Sequence, residues 1–197
     1  SGDFAWRDRR TASDVAGKSA LIMGFGRIGQ RVGALCRALG LRVAAFDPYM
    51  EGSPVEGVEM VKDFRAILPE TDFLCLHLPS TPETRDLIGA GELALLKRGA
   101  FVLNCARGGI VDEDVLCDAL ESGHLGGAGL DVFAKEPPDT AHRLFRQEKV
   151  LLSPHNAALT EECAIRMATQ AVQNVLDCLD GKLQPRVVMN RREIGMA

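Results

Sequence analysis

The chain has 197 residues, of which 46% are hydrophobic, and a formal net charge of -4 at pH 7. This composition is ample for a packed core, and an acidic balance without a basic stripe argues against a nucleic-acid-binding surface. We expect no membrane insertion either, because no apolar run approaches the roughly 18 residues of a spanning helix and the N-terminus does not look like a signal peptide.

Residues 1–16 carry no periodic pattern, which predicts a linker or arm ahead of the first strand. From there the sequence predicts one folded domain over residues 17–184, followed by a C-terminal tail over residues 185–197. There is no internal repeat or low-complexity segment that would suggest another division.

An apolar run stops at three glycines, Gly24, Gly26 and Gly29, and resumes with helical spacing. This G-x-G-x-x-G pattern predicts a strand, a tight turn and the start of a helix. The first glycine permits the turn, the second lets the backbone approach a pyrophosphate, and the third lets the helix pack close to the strand. N–H groups at the helix start would then hold the phosphates. An ordinary glycine turn is the alternative interpretation.

The segments after the glycines favour the dinucleotide interpretation. Apolar residues recur at intervals of three or four, which predicts a helix whose apolar face is made of Ile28, Val32, Leu35, Cys36 and Leu39. A second strand over residues 43–46 ends in Asp47, which lies 18 residues beyond Gly29. A carboxylate at that distance is expected to accept hydrogen bonds from the adenosine ribose and would repel a 2′-phosphate, so NAD is favoured over NADP. The alternative is a polar strand-end residue before the Pro48 turn.

Strands and helices alternate along the rest of the domain. Further strands are predicted at residues 58–61, 71–79, 100–104, 127–132 and 149–152, and helices at residues 63–68, 91–97, 113–122 and 161–180. The last helix is predicted to have an inner apolar face of Ile165, Ala168, Val172, Val175, Leu176 and Leu179. This alternation predicts an α/β fold, a doubly wound and mostly parallel sheet of the Rossmann type.

The six cysteines are scattered without C-x-x-C spacing, and we predict no metal site. Most lie in apolar strand or helix patterns, which predicts reduced core residues of a cytoplasmic protein. Cys105 stands out because its neighbour Arg107 could lower the pKa of the thiol, although a structural role is favoured over a catalytic one.

Polar residues follow four of the predicted strands, in the segments 77–79, 104–109, 131–137 and 153–157. Ligands of such sheets bind beyond the carboxyl ends of the strands. Arginine can grip a carboxylate bidentately, and histidine can exchange a proton near neutral pH, so the set suits a reaction on an anionic carbonyl substrate. Taken singly, each residue is better explained as an ordinary surface group.

At these loops the sequence resembles the D-isomer-specific 2-hydroxyacid dehydrogenases, a family that includes D-3-phosphoglycerate dehydrogenase and the hydroxypyruvate and glyoxylate reductases. The resemblance is carried by five motifs in order, at residues 24–29, 77–84, 104–112, 130–137 and 154–157. It implies NAD-linked reduction of a small 2-oxoacid to a D-2-hydroxyacid, or the reverse oxidation.

The resemblance also implies a role for each residue of a catalytic set. Arg107 would bind the substrate carboxylate and polarise its keto oxygen. His155 would donate a proton to that oxygen as hydride arrives, and Glu136 would hold His155 and keep it protonated. An adjacent carboxylate does favour the imidazolium form.

For the cofactor, the resemblance implies contacts beyond the three glycines: Arg27 and Ile28 beside the pyrophosphate, Asp47 on the ribose, His77, Pro79 and Thr84 along the adenosine, and Cys105 and Asp131 near the nicotinamide. In that setting Cys105 offers its backbone rather than its thiol.

Members of this family carry a separate substrate domain, most of it before the glycine motif, whereas 18 residues precede Ser19 here. The chain therefore resembles an isolated cofactor domain, with Trp6 near the connection that leaves the substrate domain and residues 185–197 leading back to it. We expect it to bind NADH but to turn over 2-oxoacids weakly or not at all, because half of the cleft and its exclusion of water are missing. The resemblance also suggests a homodimer.

Two other functions stay open on the sequence. A non-enzymatic NAD sensor, like the corepressors built on this fold, would retain the same three residues. Phosphite dehydrogenase relatives share them as well, while formate dehydrogenase relatives are disfavoured because Glu136 stands where they carry glutamine.

Overall fold

The structure is a computed structural model that describes residues 13–191 and 193–195. The chain divides into two compact units, one ending at His155 and the other beginning at Asn156. Most of the predicted arm, including Trp6, lies outside the described residues. The boundaries expected at residues 17–184 and 185–197 stay predictions.

In the described part of the first unit, seven strands form one sheet: β1 (Ser19–Met23), β2 (Arg42–Phe46), β3 (Val58–Met60), β4 (Phe73–Leu76), β5 (Phe101–Asn104), β6 (Gly127–Leu130) and β7 (Val150–Leu152). The strand order is β3-β2-β1-β4-β5-β6-β7, and every neighbouring pair is parallel. The chain winds outward from β1 in one direction and from β4 in the other. The predicted doubly wound α/β fold is therefore confirmed, with its switch point between β1 and β4.

The register brings the strand ends to one level. Met23 of β1 lies opposite both Phe46 of β2 and Leu76 of β4. Asn104 of β5 then lies opposite Leu76, and Leu130 of β6 lies opposite Asn104. The loops that leave these strands consequently start from the same edge of the sheet.

The helices of the first unit are α1 (Arg27–Ala38), α2 (Ala90–Leu95) and α3 (Glu113–Glu121), and the second unit holds α4 (Glu161–Leu179). α3 begins as predicted, because the Asp112 side chain accepts hydrogen bonds from the N–H groups of Asp114 and Val115 at 3.0 and 3.1 Å. The helix expected at residues 63–68 is wrong. That segment forms turns and a short 3-10 helix at Leu68–Glu70, where Pro69 has no N–H to continue an α-helix.

The apolar face expected for α1 is also partly wrong. Ile28, Leu35 and Leu39 are 67%, 61% and 61% exposed, whereas the buried residues of α1 are Gly29 and Gly33. A Cβ atom on Gly33 would lie 3.1 Å from the Phe25 ring. The helix therefore packs through its glycines, which bring its backbone close to the sheet.

The core fills both faces of the sheet. Leu21 and Met23 of β1 belong to one apolar cluster, while Ala20 and Ile22 belong to the other. A strand covered on both faces needs a continuous apolar run, which is what β1 has. Each fully buried leucine or isoleucine contributes roughly 1.5 to 3 kcal/mol, so the strand that leads into the glycine turn is firmly held.

In the second unit α4 starts at its cap, the Thr160 hydroxyl, which accepts a hydrogen bond from the Cys163 N–H at 3.1 Å. None of its residues is buried, so the predicted inner face is wrong; Ile165 and Leu179, for example, are 60% and 80% exposed. Within the described residues of this unit, the other helical element is the three-residue 3-10 helix Pro185–Val187. It is too small to cover a helix of 19 residues.

All six cysteines are free. Cys75 and Cys117 are buried as predicted, but Cys105 and Cys178 are exposed, so the core assignment is wrong for those two. In the part of the chain that the structure describes, no helix combines the length and the apolar character needed to cross a membrane.

Candidate cofactor and catalytic site

The three glycines of the turn after β1 differ in what surrounds them. A Cβ atom on Gly24, whose φ is +86°, would lie 2.6 Å from the His77 carbonyl oxygen. One on Gly29 would lie 2.1 Å from the Gly24 carbonyl oxygen. Gly26 has open space instead, with no atom within 4 Å of that position. Two glycines thus allow close packing, and the third leaves room at the backbone for a ligand.

Asp47 ties this turn to the end of β2. Its Oδ2 atom accepts a hydrogen bond from the Phe25 N–H at 2.9 Å, and its Oδ1 atom accepts one from the Tyr49 N–H at 3.0 Å. Each carboxylate oxygen has two lone pairs, so a ribose hydroxyl can still be bound. Sequence reasoning missed this bond to Phe25, which joins groups 22 residues apart.

The first turn of α1 suits an anion. The helix begins at Arg27 with Gly26 as its N-cap, and no side chain accepts a hydrogen bond there. N–H groups and the positive end of the helix dipole therefore face the open space at Gly26. Arg27 and Ile28 are both exposed at this position. The residues present fit the pyrophosphate of a dinucleotide.

His77 and the loop after it follow β4, the strand that pairs with β1 at the switch point. The His77 N–H donates to the Met23 carbonyl oxygen at 2.7 Å, and burial lowers the pKa of the imidazole, so the neutral form is favoured. The Thr84 hydroxyl donates to the Pro79 carbonyl oxygen at 2.7 Å and accepts from the Thr81 N–H at 2.8 Å. Thr84 therefore shapes the loop that presents Pro79.

A cavity of about 580 Å³ opens beside Asp47, beyond the ends of β2 and β3. Apart from Asp47, its lining was not anticipated from the sequence; it consists of Phe46, Asp47, Pro48, Met50, Glu51, Met60, Val61 and Lys62.

The loop after β5 carries Arg107 and is shaped by the buried Asn104. The Asn104 side chain accepts a hydrogen bond from the Ala106 N–H at 3.1 Å and donates to the Arg107 carbonyl oxygen at 3.0 Å. The exposed Arg107 guanidinium donates to the Ala106 carbonyl oxygen at 2.6 Å. An asparagine at a strand end before a Gly-Gly pair is a turn signal that could have identified this support.

Gly108 brings the Arg107 loop against the loop after β6. A Cβ atom on Gly108 would lie 1.7 Å from the Phe133 carbonyl oxygen, so no other residue fits there. The β6 loop includes Glu136 and a cis peptide bond between Glu136 and Pro137. The loops of Arg107 and Glu136 are therefore in direct contact.

Glu136 and His155 are joined by a hydrogen bond between their side chains. The His155 Nδ1 and Glu136 Oε2 atoms are 2.7 Å apart, and Glu136 Oε1 accepts a hydrogen bond from the Phe133 N–H at 3.0 Å. The hydrogen bond from His155, followed by that from Phe133, lowers the pKa of the Glu136 carboxyl. His155 has a φ of +52°, a left-handed conformation that is uncommon outside glycine and clusters at functional sites.

Asp131 lies at the end of β6 and is 3% exposed. Its Oδ1 atom accepts a hydrogen bond from the Ser153 hydroxyl at 2.6 Å. Cys105 is exposed overall, but partial desolvation of its thiol, followed by the negative charge of Asp131, raises the pKa of that thiol. The lowering that Arg107 was expected to cause is therefore wrong, and the structural role favoured for Cys105 is consistent with its environment.

A parallel sheet of this order, with a glycine turn at its switch point and an acid at the end of β2, defines a dinucleotide-binding domain. The family model described as "D-isomer specific 2-hydroxyacid dehydrogenase, NAD binding domain" matches residues 1–157, and the chain belongs to that family. NAD is accordingly the cofactor of this domain, as predicted.

The chain is 39% identical over 184 residues to D-3-phosphoglycerate dehydrogenase of Methanocaldococcus jannaschii, a match that covers 92% of this chain and 35% of the relative. Against the enzyme of the same name from Mycobacterium leprae the identity is 41%, over 92% of this chain and 34% of the relative. The chain thus spans about a third of the length of these curated relatives.

Solved structures give the same family. The NAD-complexed D-isomer specific 2-hydroxyacid dehydrogenase of Lactobacillus delbrueckii ssp. bulgaricus superposes with a TM-score of 0.83 at 29% identity, covering 95% of this chain and 61% of that one. A D-2-hydroxyisocaproate dehydrogenase also gives a TM-score of 0.83, at 27% identity, covering 93% of this chain and 59% of that one. The predictions of family, fold and cofactor are confirmed, and the roles of single residues stay predictions.

Proposed function

We propose that the whole protein is an NAD-dependent oxidoreductase that interconverts a small anionic 2-oxoacid and the corresponding D-2-hydroxyacid. The observation that carries this proposal is the 2.7 Å pair between His155 Nδ1 and Glu136 Oε2. It stands at the strand-end edge of a domain that binds NAD.

The proposed chemistry divides among three side chains. Arg107, exposed at the end of its loop, binds the substrate carboxylate and polarises the keto oxygen. Glu136 holds Nδ1 of His155 and stabilises the imidazolium, which makes Nε2 the nitrogen that delivers a proton to the keto oxygen. When bound, NADH supplies the hydride to the carbonyl carbon. In the reverse direction His155 takes the hydroxyl proton.

The proposed cofactor contacts follow the edge of the sheet. The backbone at Gly24, Gly26 and Gly29 and the residues Arg27 and Ile28 hold the pyrophosphate. Asp47 binds the ribose, and His77, Pro79 and Thr84 line the adenosine, with Thr84 acting through the loop that its hydroxyl shapes. Cys105 and Asp131 lie beside the nicotinamide, where the high thiol pKa suits a backbone role for Cys105.

The test of the catalytic roles is His155→Ala in the complete enzyme. We expect turnover to fall by about 10² to 10⁴, the usual contribution of a general acid. The affinity for NADH, followed by fluorescence titration, should stay within about twofold, because His155 follows β7, which three strands of the sheet separate from β1 and its glycine turn. An equal loss of turnover and NADH affinity would contradict the role given to His155.

The substrate proposal rests on the relatives. Those named above are a D-3-phosphoglycerate dehydrogenase and a D-2-hydroxyisocaproate dehydrogenase, and a glyoxylate reductase of Paecilomyes thermophila matches with a TM-score of 0.81 at 31% identity. NADH oxidation by the complete enzyme should therefore be measured with glyoxylate, pyruvate, hydroxypyruvate and phosphohydroxypyruvate. Failure with all four would overturn the proposed substrate class.

We also propose that the protein is a cytoplasmic homodimer. The six free cysteines suit a reducing compartment, and the exposed apolar side chains of α4 offer a surface that a partner could cover. Light scattering that detects only a monomer at micromolar concentration would contradict the dimer.

A further inference from the structure

The peptide group between Phe133 and Ala134 is fixed from two sides. Its carbonyl oxygen lies against Gly108, where a Cβ atom would approach to 1.7 Å. Its N–H donates a hydrogen bond to the Glu113 Oε1 atom at 2.6 Å. The preceding N–H, that of Phe133, donates to Glu136 Oε1 at 3.0 Å. Two carboxylates thus bind successive N–H groups of one loop, and one of the two is the partner of His155.

Glu113 reaches this loop from a well-anchored element. It is the first residue of α3, which is capped by Asp112 and buries Leu116 and Leu120. The loop itself is exposed at Ala134, Lys135 and Glu136. The hydrogen bond from Ala134 therefore links an exposed loop to a capped helix, and it joins residues that are 21 positions apart in the sequence.

We infer that Glu113 is a positioning residue of the active site: by holding the Ala134 N–H, it sets the loop geometry in which Glu136 meets His155. The same peptide also packs against Gly108 of the Arg107 loop. Glu113 therefore helps to align Arg107 as well as the pair of Glu136 and His155. The catalytic meaning of this inference rests on the function proposed above, whereas the geometric part does not.

A simpler role exists for an acid at this place. A carboxylate in the first turn of a helix interacts favourably with the helix dipole whether or not it contacts another loop. The two roles differ in their effect on Glu136. If Glu113 acted only as a nearby negative charge, removing that charge would lower the pKa of the Glu136 carboxyl. If Glu113 positions the loop, losing its hydrogen bond would loosen the Glu136 bonds to Phe133 and His155, and the pKa would rise.

The experiment compares two substitutions by NMR titration of the Glu136 side-chain carboxyl in the 197-residue chain. Glu113→Asp keeps the charge at the start of α3 but withdraws the oxygen by one methylene, which is too far for the hydrogen bond. Glu113→Gln removes the charge but keeps an oxygen acceptor at full length. Asp114→Asn is the matched control, because Asp114 is in the same helical turn and contacts His142 and Arg143 rather than the peptide between Phe133 and Ala134.

We expect Glu113→Asp to raise the pKa of Glu136 by about 0.5 to 1 unit, from weakened hydrogen bonds to its charged form. Glu113→Gln and the control should leave it unchanged or slightly lower. His155 and Asp131, the charged groups that act on Glu136, are intact in all three variants. No rise with Glu113→Asp, or an equal rise with Glu113→Gln, would overturn the inference.

Turnover of the complete enzyme gives a second readout. Glu113→Asp should lower kcat by about tenfold with NADH affinity within twofold, and Glu113→Gln should retain most of the activity. If the unsubstituted enzyme reduces no 2-oxoacid, the proposed function fails, while the titration of Glu136 still decides the positioning role.

Discussion

The two parts of the candidate site, the glycine turn with Asp47 (the cofactor half) and the loops of Arg107, Glu136 and His155 (the catalytic half), differ in which kind of contact carries their expected function. The turn between β1 and α1 is defined by backbone packing, with Gly24 and Gly29 in contact with carbonyl oxygens that exclude any side chain. The loop after β6 is exposed at Ala134, Lys135 and Glu136, and two carboxylates, those of Glu113 and Glu136, bind N–H groups of this loop. Steric fit is insensitive to pH, whereas bonds to carboxylates depend on ionisation. Stability should therefore respond most to added volume at Gly29, and activity to charge at Glu136. Each part also holds a contact of the other kind, namely the Asp47 carboxylate on the Phe25 N–H and Gly108 packed against the Phe133 carbonyl.

The largest effect should come from adding one methyl group in the cofactor half. Gly29→Ala places a Cβ atom 2.1 Å from the Gly24 carbonyl oxygen, and we expect the free energy of unfolding to fall by about 3 kcal/mol or more. NADH binding should be lost with it. Chemical denaturation and fluorescence titration measure the two losses.

Gly26→Ala is the control for that substitution. Its Cβ atom meets nothing within 4 Å, and the φ of -70° suits alanine, so stability should change by about 0.5 kcal/mol or less. NADH affinity should fall at least about tenfold, because the methyl group occupies the pyrophosphate space. Equal losses of stability for Gly26→Ala and Gly29→Ala would contradict the conclusion that Gly29 is sterically constrained and Gly26 is not.

The second-largest effect on stability is expected at Asp47, which holds the glycine turn by its hydrogen bond from the Phe25 N–H. Asp47→Ala removes the acceptor of the Phe25 and Tyr49 N–H groups and should lower the free energy of unfolding by about 2 kcal/mol, as expected for charged hydrogen bonds. NADH affinity should fall as well. The exposed Glu56→Ala serves as control, and thermal melting that does not separate the two variants would argue that Asp47 serves the ligand alone.

A smaller change in stability is expected from charge removal in the catalytic half. Glu136→Gln keeps an oxygen for the Phe133 N–H and breaks the pair with an exposed histidine, which should cost at most about 1 kcal/mol. Turnover of the complete enzyme should nevertheless fall about 10²-fold or more, because the imidazolium loses its partner. Lys135→Gln is the control. A stability loss as large as that of Gly29→Ala would remove the distinction between the halves.

The smallest effects are those of pH. Burial lowers the pKa of His77, so the unfolded chain binds more protons than the folded one as the pH falls below about 6.5, and stability declines there. The lowered pKa of Glu136 also contributes to the free energy of unfolding. This stabilisation is present above the pKa of an unfolded glutamate, about 4.3, and is lost as the pH falls through the pKa of Glu136 in the folded protein. His77→Gln should remove the first decline and leave the second. Melting temperatures between pH 7 and 3 would follow both.

Much of the fold followed from local patterns. The strand, the glycines and Asp47 of the cofactor half are near one another in sequence, so a short pattern predicts them together. The helix cap at Asp112 could likewise be recognised from that residue alone. What sequence reasoning missed are bonds between distant loops, such as Ala134 to Glu113, because neither residue type signals a partner 21 positions away. It also misjudged α4, since an apolar stripe reveals a face but not what covers it.

Asp47 is subject to two requirements at once. The residue that would discriminate NAD from NADP also holds the backbone on which any dinucleotide must rest. A single replacement aimed at accommodating a 2′-phosphate would therefore weaken the phosphate cradle in the same step. Redesign of the cofactor preference has to begin with a second anchor for the Phe25 N–H, and only then can the acid be exchanged.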